Sequence, residues 1–394
     1  MFTPLDQTYM RRALELAERG LYTTTPNPRV GAVVVKDNRI VGEGWHQVAG
    51  EAHAEVAAIR DAKEKSGAAA VRGSTVYVTL EPCSHQGRTP PCADLLVSEG
   101  VARVVAAMED PNPKVAGQGL AKLRAAGVGV RVGLLEADAR ELNIGFISRM
   151  TRGLPWVRLK VAASLDGKTA LANGQSQWIT GAEARKDGHA YRARSCAILT
   201  GIGTVLEDNP QLNVRDVVTP RQPLKIIVDS NLQIPLDAKI LQEGKVLIVC
   251  AVDETAGPES GSGAAEKRAA SGAAEKRAAS GAAEKRAALC DKGFEVLCLP
   301  NQSGKVHLAG LMKELARRGL NDIHVESGFK LNGSMLREEC VDEILIYFAA
   351  SIIGHTGQGM FNLPELTDLE ERRKLRIHRV NLVGPDLRLI ARLD

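Results

Sequence analysis

The chain has 394 residues, of which 44% are hydrophobic and 25% are charged. This composition suits two or three globular domains and excludes a disordered chain. No segment has the roughly 18 consecutive apolar residues of a membrane span, and residues 1–19 are typical of an amphipathic helix rather than a signal peptide. We therefore expect a cytoplasmic protein with no membrane partner. Aromatic residues make up only 4% of the chain, which disfavours a nucleic-acid groove with stacking side chains.

Much of the net charge of +4 comes from one repeated segment. The nonapeptide Ser-Gly-Ala-Ala-Glu-Lys-Arg-Ala-Ala occurs three times between Ser262 and Ala288, and each copy adds one net positive charge. Nine residues at about 100° each make about two and a half helical turns, so successive copies would face opposite sides of a helix. We interpret 262–288 as an insertion in a surface connection, of which only the third copy leads into an ordinary helix. A functional charged arm is the alternative.

The first 150 residues alternate between helix and strand patterns, which favours an α/β layer fold with a mixed sheet. The Asp37-Asn38 pair predicts a tight turn between the first two strands. Helices are predicted over Asp6–Arg19, His53–Lys63, Cys92–Ser98 and Gln118–Ala126. Strands are predicted over Val30–Val35, Ile40–Gly44, Thr75–Leu80, Ala102–Met108 and Val128–Val132.

A second series of apolar runs of strand length begins after Pro155, with helical segments between several of them, and predicts a second α/β domain. We place the boundary near Met150–Leu154, where Arg, Gly and Pro interrupt the pattern. The predicted domains are therefore 1–150 and 151–394. The predicted strands are Val157–Ala163, Ser195–Thr200, Leu224–Asp229, Val246–Cys250, Phe294–Leu299, Asp322–Glu326 and Glu343–Ala350.

His53, Cys83 and Cys92 form a candidate zinc site. One imidazole and two thiolates make a three-ligand set that leaves a fourth position for water. Glu55 lies about 200° around a helix from His53, so the two side chains converge only if the end of the helix meets the site. There Glu55 can hold and move the protons of the water. In the alternative, His85 supplies a fourth ligand and the zinc is purely structural.

These residues resemble the zinc-dependent cytidine deaminase-like superfamily, whose signature is His-x-Glu followed by Pro-Cys-x-x-Cys. Here eight residues separate the two cysteines, and the segment Thr79–Cys92 is similar to the riboflavin-biosynthesis pyrimidine deaminases, as are Thr25–Gly31, Gly50–Glu55 and Asp110–Pro113. The resemblance implies a three-layer cytidine deaminase-like domain with Glu55 as the catalytic residue. It also implies that the substrate is bound by Asn27, His46, His85, Arg88 and Asn112.

In the second half, two predicted strands each run into a glycine turn and then a helix. One enters Gly201-Ile202-Gly203-Thr204 and the other enters Gly328, with Gly333 five residues on. Strand, glycine turn and helix together present backbone amides to phosphates. Neither segment is a full Gly-x-Gly-x-x-Gly fingerprint, so the residues alone leave nucleotide binding and a plain turn both open.

The segments Leu159–Lys168, Ser176–Thr180, Gly203–Pro210 and Val325–Gly328 resemble the riboflavin-pathway reductases, which implies a dihydrofolate reductase-like α/β domain and NADPH as cofactor. Asp229 lies at the end of a predicted strand, where an acidic residue would normally favour NAD over NADP. That rule belongs to a different fold, so we follow the resemblance and expect NADPH. The implied cofactor contacts are Ala162, Trp178, Thr204, Asp208, Ser230, Gly328, Phe329, Lys330, Leu331, Asn332, Gly333 and Ser334. The implied substrate contacts are Lys160, Ser176, Arg192, Leu212, Arg215 and Glu326, with Arg192 and Arg215 as partners of a 5′-phosphate.

The order of the two segments resembles the bacterial bifunctional riboflavin-biosynthesis deaminase/reductase family over nearly the whole chain. The resemblance implies zinc-dependent deamination of a phosphorylated pyrimidine followed by NADPH reduction of its ribose. The expected partners are small phosphorylated pyrimidines rather than nucleic acid, and a homo-oligomer is compatible with the sequence. Two alternatives remain: a nucleic-acid or nucleoside deaminase with an accessory nucleotide-binding domain, and a non-catalytic zinc scaffold.

Overall fold

The computed structural model describes residues 1–85, 90–113, 115–252 and 281–393. They group into two compact units. The first comprises Met1–Trp156, Thr219–Arg221 and Gly319–Asn321, and the second comprises Val157–Val218, Gln222–Arg318 and Asp322–Asp394. Within the described ranges, no helix combines the length and the apolar character needed to cross a lipid bilayer.

The first unit is built on a five-stranded mixed sheet with the strand order β2-β1-β3-β4-β5. Strand β1 is antiparallel to both β2 and β3, whereas β3, β4 and β5 are parallel. The strands are β1 (Gly31–Lys36), β2 (Arg39–Trp45), β3 (Thr75–Val78), β4 (Arg103–Ala106) and β5 (Gly129–Val132). The helices are α1 (Pro4–Glu18), α2 (Ala54–Ser66), α3 (Cys92–Ser98), α4 (Gln118–Ala125), α5 (Glu136–Leu142) and α6 (Ile144–Arg152).

Two apolar cores, one on each face of this sheet, give the unit three layers. Side chains of α1 and Ala139 of α5 pack on one face, and α2, α3 and α4 cover the other. The predicted turn is present, with Asp37 and Asn38 at φ values of 48° and 58°, which these residue types tolerate. The mixed sheet and its flanking helices confirm the predicted fold of this half.

Helix α2 packs unusually close to β2 because two glycines face it. A Cβ built on Gly42 would lie 2.3 Å from the carbonyl oxygen of Ala58, and one on Gly44 would lie 2.3 Å from the amide nitrogen of Ala58. Any side chain at either position would therefore push the helix outward. This contact fixes the position of the α2 N-terminus, where the candidate metal site lies.

The second unit contains a nine-stranded sheet with the order β11-β10-β9-β8-β12-β6-β13-β16-β15, and a two-stranded sheet β14-β7. Its strands are β6 (Trp156–Ser164), β7 (Lys168–Ala170), β8 (Ala197–Gly201), β9 (Leu224–Val228), β10 (Val246–Cys250), β11 (Glu295–Cys298), β12 (Asp322–Val325), β13 (Glu343–Ala349), β14 (Gln358–Gly359), β15 (Leu375–Val383) and β16 (Asp386–Leu393). Its helices are α7 (Ala182–Arg194), α8 (Ile202–Asp208), α9 (281–291), α10 (Leu308–Arg317) and α11 (Phe329–Arg337).

Strands β8 and β12 are parallel neighbours in the middle of the large sheet. From β8 the chain continues outward in one direction through β9, β10 and β11, whereas β6 and β13 lie on the other side of β12. The direction of the winding therefore reverses between β8 and β12. In open α/β sheets, ligands bind outside the carboxyl ends of the strands at such a point.

The third repeat copy forms part of α9, whose residues Ala282 and Leu289 are buried in the core beside β9 and β10. This confirms that the last copy leads into an ordinary helix. The first two copies and Ser280 lie outside the described residues, so the prediction that they form an exposed insertion stays a prediction. The sequence patterns did not predict the C-terminal hairpin β15–β16, which pairs antiparallel to β13.

Candidate functional site

The three predicted metal ligands lie together at the ends of two helices. His53 is the N-cap residue of α2, and Cys92 is the first residue of α3. Cys83 follows β3, and its sulfur accepts a hydrogen bond from the backbone N–H of Cys92 at 3.3 Å. Both helices thus begin at the site, as the prediction for His53 and Glu55 required.

The donor atoms fit a zinc ion. The Nδ1 atom of His53 lies 3.3 Å from the sulfur of Cys92 and 3.6 Å from the sulfur of Cys83. Tetrahedral zinc with ordinary Zn–N and Zn–S bonds places such ligand atoms about 3.5 Å apart. Within the described ranges, His85 is not part of this cluster, so the geometry leaves one coordination position open and does not favour a closed structural site.

The protonation of the two thiols differs in the absence of a cation. The hydrogen bond with Cys92, together with His53, lowers the pKa of Cys83, whereas the contact with Cys83 and burial raise the pKa of Cys92. A divalent cation in contact with both sulfurs favours two thiolates. The pair therefore supplies the two negative charges that balance the ion.

Glu55 lies in the first turn of α2 and is 3% exposed. Burial raises the pKa of Glu55 from 4.5 to about 7. A carboxyl group that titrates near neutral pH can both accept and return a proton. Its position next to the three ligands, but outside their set, suits a proton carrier.

Asn27 and His46 form a polar wall beside the metal ligands. His46 Nδ1 lies 3.0 Å from the carbonyl oxygen of Ala52, and its Nε2 lies 3.1 Å from the amide nitrogen of Asn27. Burial lowers the pKa of His46 and so favours the neutral ring. Its Nδ1–H then donates to Ala52 and its Nε2 accepts from Asn27. This arrangement leaves the amide oxygen of Asn27 as an acceptor for an amino group.

Two of the remaining predicted deaminase residues, His85 and Asn112, lie outside helices and strands. His85 is exposed, and Arg88 lies outside the described residues. Asn112 is half-buried, and its backbone N–H donates to the Asp110 carboxylate at 2.8 Å. Burial raises the pKa of Asp110, and its backbone N–H donates to the carboxylate of Glu81, two residues before Cys83. The loop that carries Asn112 therefore lies near the cysteine ligands.

In the second unit, the two glycine turns meet at the carboxyl ends of β8 and β12. Gly201 is the N-cap of α8, and Gly328 is the N-cap of α11. A Cβ on Gly201 would lie 3.0 Å from the side chain of Leu331, and one on Gly328 would lie 3.8 Å from the hydroxyl of Thr204. Two helix N-termini thus open onto the crevice where the winding reverses, which suits a phosphate group.

Two residues of the predicted cofactor loop also have structural roles. Asn332 is buried and donates to the carbonyl oxygen of Met360 at 3.1 Å. A Cβ on Gly333 would lie 2.0 Å from the carbonyl oxygen of Asn362, so a glycine is needed for this packing. In the same loop Gly328 and Lys330 are exposed, and Phe329, Leu331 and Ser334 are half-buried.

Glu326 is the centre of a half-buried group of charges. Its carboxylate pairs with both Nε and Nη2 of Arg192, and Lys160 Nζ lies 3.7 Å away. Although burial opposes ionisation, these two cations hold the pKa of Glu326 well below its usual value. His324 Nε2 lies 3.3 Å from the same carboxylate. Sequence reasoning missed His324, although the two-residue period of a strand places it on the same face as Glu326.

Only one of the two arginines predicted to bind a phosphate faces solvent. The remaining Nη1 of Arg192 donates to the carbonyl oxygen of Asn213 at 3.0 Å, so its guanidinium is committed to protein groups. Arg215 is exposed and contacts the Asn213 side chain at 2.6 Å. Its backbone N–H donates to Nδ1 of His189, a buried residue that the sequence analysis did not single out.

The other predicted reductase residues differ widely in exposure. Trp178 is 71% exposed, with the Arg185 guanidinium 4.7 Å from its ring. The neighbouring Gln177 donates to the Asp208 carboxylate at 3.0 Å. Asp208 is exposed, Leu212 is buried, and Ala162, Ser176, Thr204 and Ser230 are half-buried.

Asp229 has a structural role rather than a cofactor-selecting one. It is fully buried after β9, and its carboxylate accepts the backbone N–H of Ile234 at 2.8 Å. Burial raises its pKa. A carboxylate enclosed in this turn is not placed to bind a ribose hydroxyl, so the argument for NAD from this acid does not hold.

Comparison with known proteins relates both units to one family. A family model of the RibD C-terminal domain matches residues 155–389, and a model of the cytidine and deoxycytidylate deaminase zinc-binding region matches residues 3–108. Riboflavin biosynthesis protein RibD of Escherichia coli (strain K12) is 43% identical over 396 residues, which cover 97% of this chain and 98% of that protein.

Two solved structures are similar over the full length. Acinetobacter baumannii RibD has a TM-score of 0.83 and 38% identity, with 99% of each chain covered. A diaminohydroxyphosphoribosylaminopyrimidine deaminase/5-amino-6-(5-phosphoribosylamino)uracil reductase from Thermotoga maritima has a TM-score of 0.81 and 32% identity, also with 99% of each chain covered. The chain therefore belongs to the RibD family of riboflavin biosynthesis proteins, with a deaminase zinc-binding region followed by a RibD C-terminal domain.

Proposed function

We propose that the chain catalyses two consecutive reactions of riboflavin biosynthesis. The first is hydrolytic deamination of 2,5-diamino-6-ribosylamino-4(3H)-pyrimidinone 5′-phosphate, which consumes water and releases ammonia. The second is NADPH reduction of 5-amino-6-(5-phosphoribosylamino)uracil to the ribitylamino product. The observation that carries the proposal is the triangle of His53, Cys83 and Cys92 with buried Glu55 beside it. The activity named for the similar Thermotoga maritima protein supports the choice of substrates.

In the first reaction, Glu55 is the proton carrier. A zinc ion held by His53, Cys83 and Cys92 supplies an activated water and an electrophilic charge when bound. The Glu55 carboxylate would take one proton from the attacking water and give it to the ring nitrogen. It would then take the second proton from the hydroxyl group on the ring carbon and give it to the departing amino group, so that a carbonyl group and ammonia result. Its pKa of about 7 keeps both protonation states accessible.

The substrate ring and its phosphate are held by the polar residues around this point. Asn27, fixed by His46, offers its amide oxygen to an amino group of the pyrimidine. Asn112 approaches from the opposite loop. His85 and Arg88 complete the site, and Arg88 pairs with the phosphate.

In the second reaction, the crevice between β8 and β12 holds NADPH, which supplies the hydride when bound. The N-termini of α8 and α11 would hold its phosphate groups. Contacts to the cofactor come from Ala162, Trp178, Thr204, Asp208, Ser230 and the exposed part of the loop 328–334. The sugar phosphate meets Ser176, Leu212 and Arg215, and Glu326, held by Arg192 and Lys160, orients the ribose.

We propose 1–150 as the deaminase domain and 151–394 as the reductase domain. The family models matched to residues 3–108 and 155–389 support this division. The absence of a strand shared between the two described sheets supports it as well.

A coupled assay tests the proposal. The purified full-length chain is given the pyrimidine substrate and NADPH in one tube, and both ammonia release and NADPH oxidation are recorded together with the zinc content. We expect about one zinc per chain, ammonia release without NADPH, and NADPH oxidation only after ammonia appears. Ammonia release from cytidine or from single-stranded DNA, with none from the pyrimidine phosphate, would contradict the proposal.

A further inference from the structure

The carboxylate of Glu81, two residues before Cys83, closes a loop on the deaminase unit. Glu81 is 3% exposed. One oxygen accepts the backbone N–H of Asp110 at 3.0 Å and that of Gly117 at 2.9 Å. The other accepts the N–H of Gly119 at 2.8 Å and that of Leu120 at 3.3 Å. A single buried side chain therefore joins both ends of the loop between β4 and α4.

This loop carries Asn112 at its tip. The Asn112 backbone N–H donates to the side chain of Asp110, and its carbonyl oxygen accepts the N–H of Val115 at 2.8 Å. Each of these bonds is local and fixes the shape of the turn. The bonds to Glu81 instead tie the loop to the segment that ends in Cys83.

The backbone next to Glu81 makes a second, independent contact with the same loop. A Cβ on Gly119 would lie 1.9 Å from the carbonyl oxygen of Pro82. The start of α4 therefore lies directly against the segment that ends in the metal ligand. In the Glu-Pro-Cys motif, Glu81 thus contacts the loop through its side chain and Pro82 contacts it through its backbone. Cys83 supplies a sulfur atom to the candidate metal site.

We propose that Glu81 is a positioning residue for the deamination. Its carboxylate holds Asn112 at a fixed place relative to the metal ligands. The inference rests on the proposed function. Glu81 touches neither substrate nor metal and acts through the loop. A carboxylate is suited to this because each oxygen accepts two N–H groups, whereas an amide would turn two of these bonds into contacts between donors.

The test compares Glu81→Gln, Asn112→Ala and the double variant in the full-length chain. Glu81→Gln should retain zinc and the parental rate of NADPH oxidation with the deaminated intermediate. Its KM for the pyrimidine should rise by at least about tenfold while kcat falls by less than about threefold. If Glu81 acts through Asn112, the double variant should have the KM of Asn112→Ala alone.

Asp6→Asn is the matched control. Asp6 is a buried carboxylate of the same unit that accepts the backbone N–H of Thr3 and the hydroxyl of Tyr77. It belongs to α1, on the other face of the sheet from α2 and α3. Its replacement should lower the melting temperature and leave the KM for the pyrimidine at the parental value.

Several results would overturn the inference. They are an unchanged KM in Glu81→Gln, KM effects that multiply in the double variant, and loss of zinc from Glu81→Gln. If Glu81→Gln does not fold, Glu81→Asp, which keeps both oxygens on a shorter side chain, is judged by the same criteria. A parent chain that releases no ammonia would overturn the proposed function and this inference with it, whereas an active parent with an unchanged KM in the variant would overturn the inference alone.

Discussion

His53 and Glu55 are two residues apart and yet serve one site, because the site lies at the end of a helix rather than along its side. His53 precedes α2 and has extended backbone angles, with φ of −72° and ψ of 163°, whereas Glu55 is in the first turn. The change of backbone direction between them cancels the angular separation that a continuous helix would impose. The spacing His-x-Glu therefore has a direct physical reason.

Glu55→Gln should retain zinc and lose deamination. The amide has the same shape, so only proton transfer is removed, and general acid–base catalysis typically contributes 10²–10⁴-fold. Ammonia release and zinc content are measured on the same samples, and NADPH oxidation by the same chain is the internal control. His53→Ala should instead lose zinc and deamination together. Deamination by Glu55→Gln at the parental rate would show that another group moves the proton.

His189 should make the second unit sensitive to mild acid. Burial lowers the pKa of His189 from 6.5 to about 4, so the native state keeps it neutral while the unfolded chain protonates it. Between these pH values the unfolded state binds more protons, and stability falls as the pH falls. Calorimetry from pH 7 to 4.5 should show a smaller decrease in melting temperature for His189→Asn than for the parent. His355→Asn, at an exposed site, should behave like the parent.

At the scale of elements, Gly44→Ala should displace α2 from β2. The added Cβ would lie 2.3 Å from the Ala58 nitrogen, and such overpacking typically costs about 1–3 kcal/mol. Because α2 begins at His53, we expect a lower melting temperature together with a lower zinc affinity, measured by competition with a chelator. Gly188→Ala in the middle of α7 is the control and should be neutral or stabilising. Apart from the adjacent backbone of its own helix, no atom of the described residues lies within 4 Å of the added Cβ. Parental zinc affinity in Gly44→Ala would contradict the expected coupling.

The repeats give an element-scale prediction of their own. Removal of any two copies yields the same sequence, in which one copy still leads into α9. Both activities should stay within about twofold of the parent, because the free energy of loop closure changes by only about 0.6 kcal/mol per doubling of length. Removal of all three copies, 262–288, also deletes buried Ala282 and most of α9, and should lower the melting temperature of the second unit. A KM for NADPH that rises tenfold or more after the two-copy deletion would favour the charged-arm alternative.

The sequence predicted elements best where the signal was local. The boundaries of α3 and β10 match the predictions, and the Asp37-Asn38 turn lies where expected. The hairpin β15–β16 was missed because the apolar residues of β15, such as Ile377 at 64% exposure, face solvent and lie among arginines. In the site, a short motif identified the candidate zinc ligands. The role of Glu81 depends on partners far away in the sequence, which no local pattern reveals.

At the scale of the whole molecule, each predicted site is contained within one unit. All described deaminase residues lie in Met1–Trp156, and all predicted reductase residues lie in the second unit. Each unit has its own sheet and its own apolar clusters. A domain with a separate core can in principle fold alone.

The two halves should therefore work separately when the chain is divided at Gly153. Helix α6 ends at Arg152, and Gly153 follows it with a φ of 68°, so a division there leaves α6 intact, whereas an earlier cut would break it. Residues 1–152 should bind zinc and release ammonia without nicotinamide. Residues 154–394 should oxidise NADPH only with the deaminated intermediate. The rates of ammonia release and of NADPH oxidation should each stay within about tenfold of the rate of the full chain, because each site keeps all its residues. Folded halves that are inactive alone and recover activity only when mixed would show instead that each site needs groups from both units.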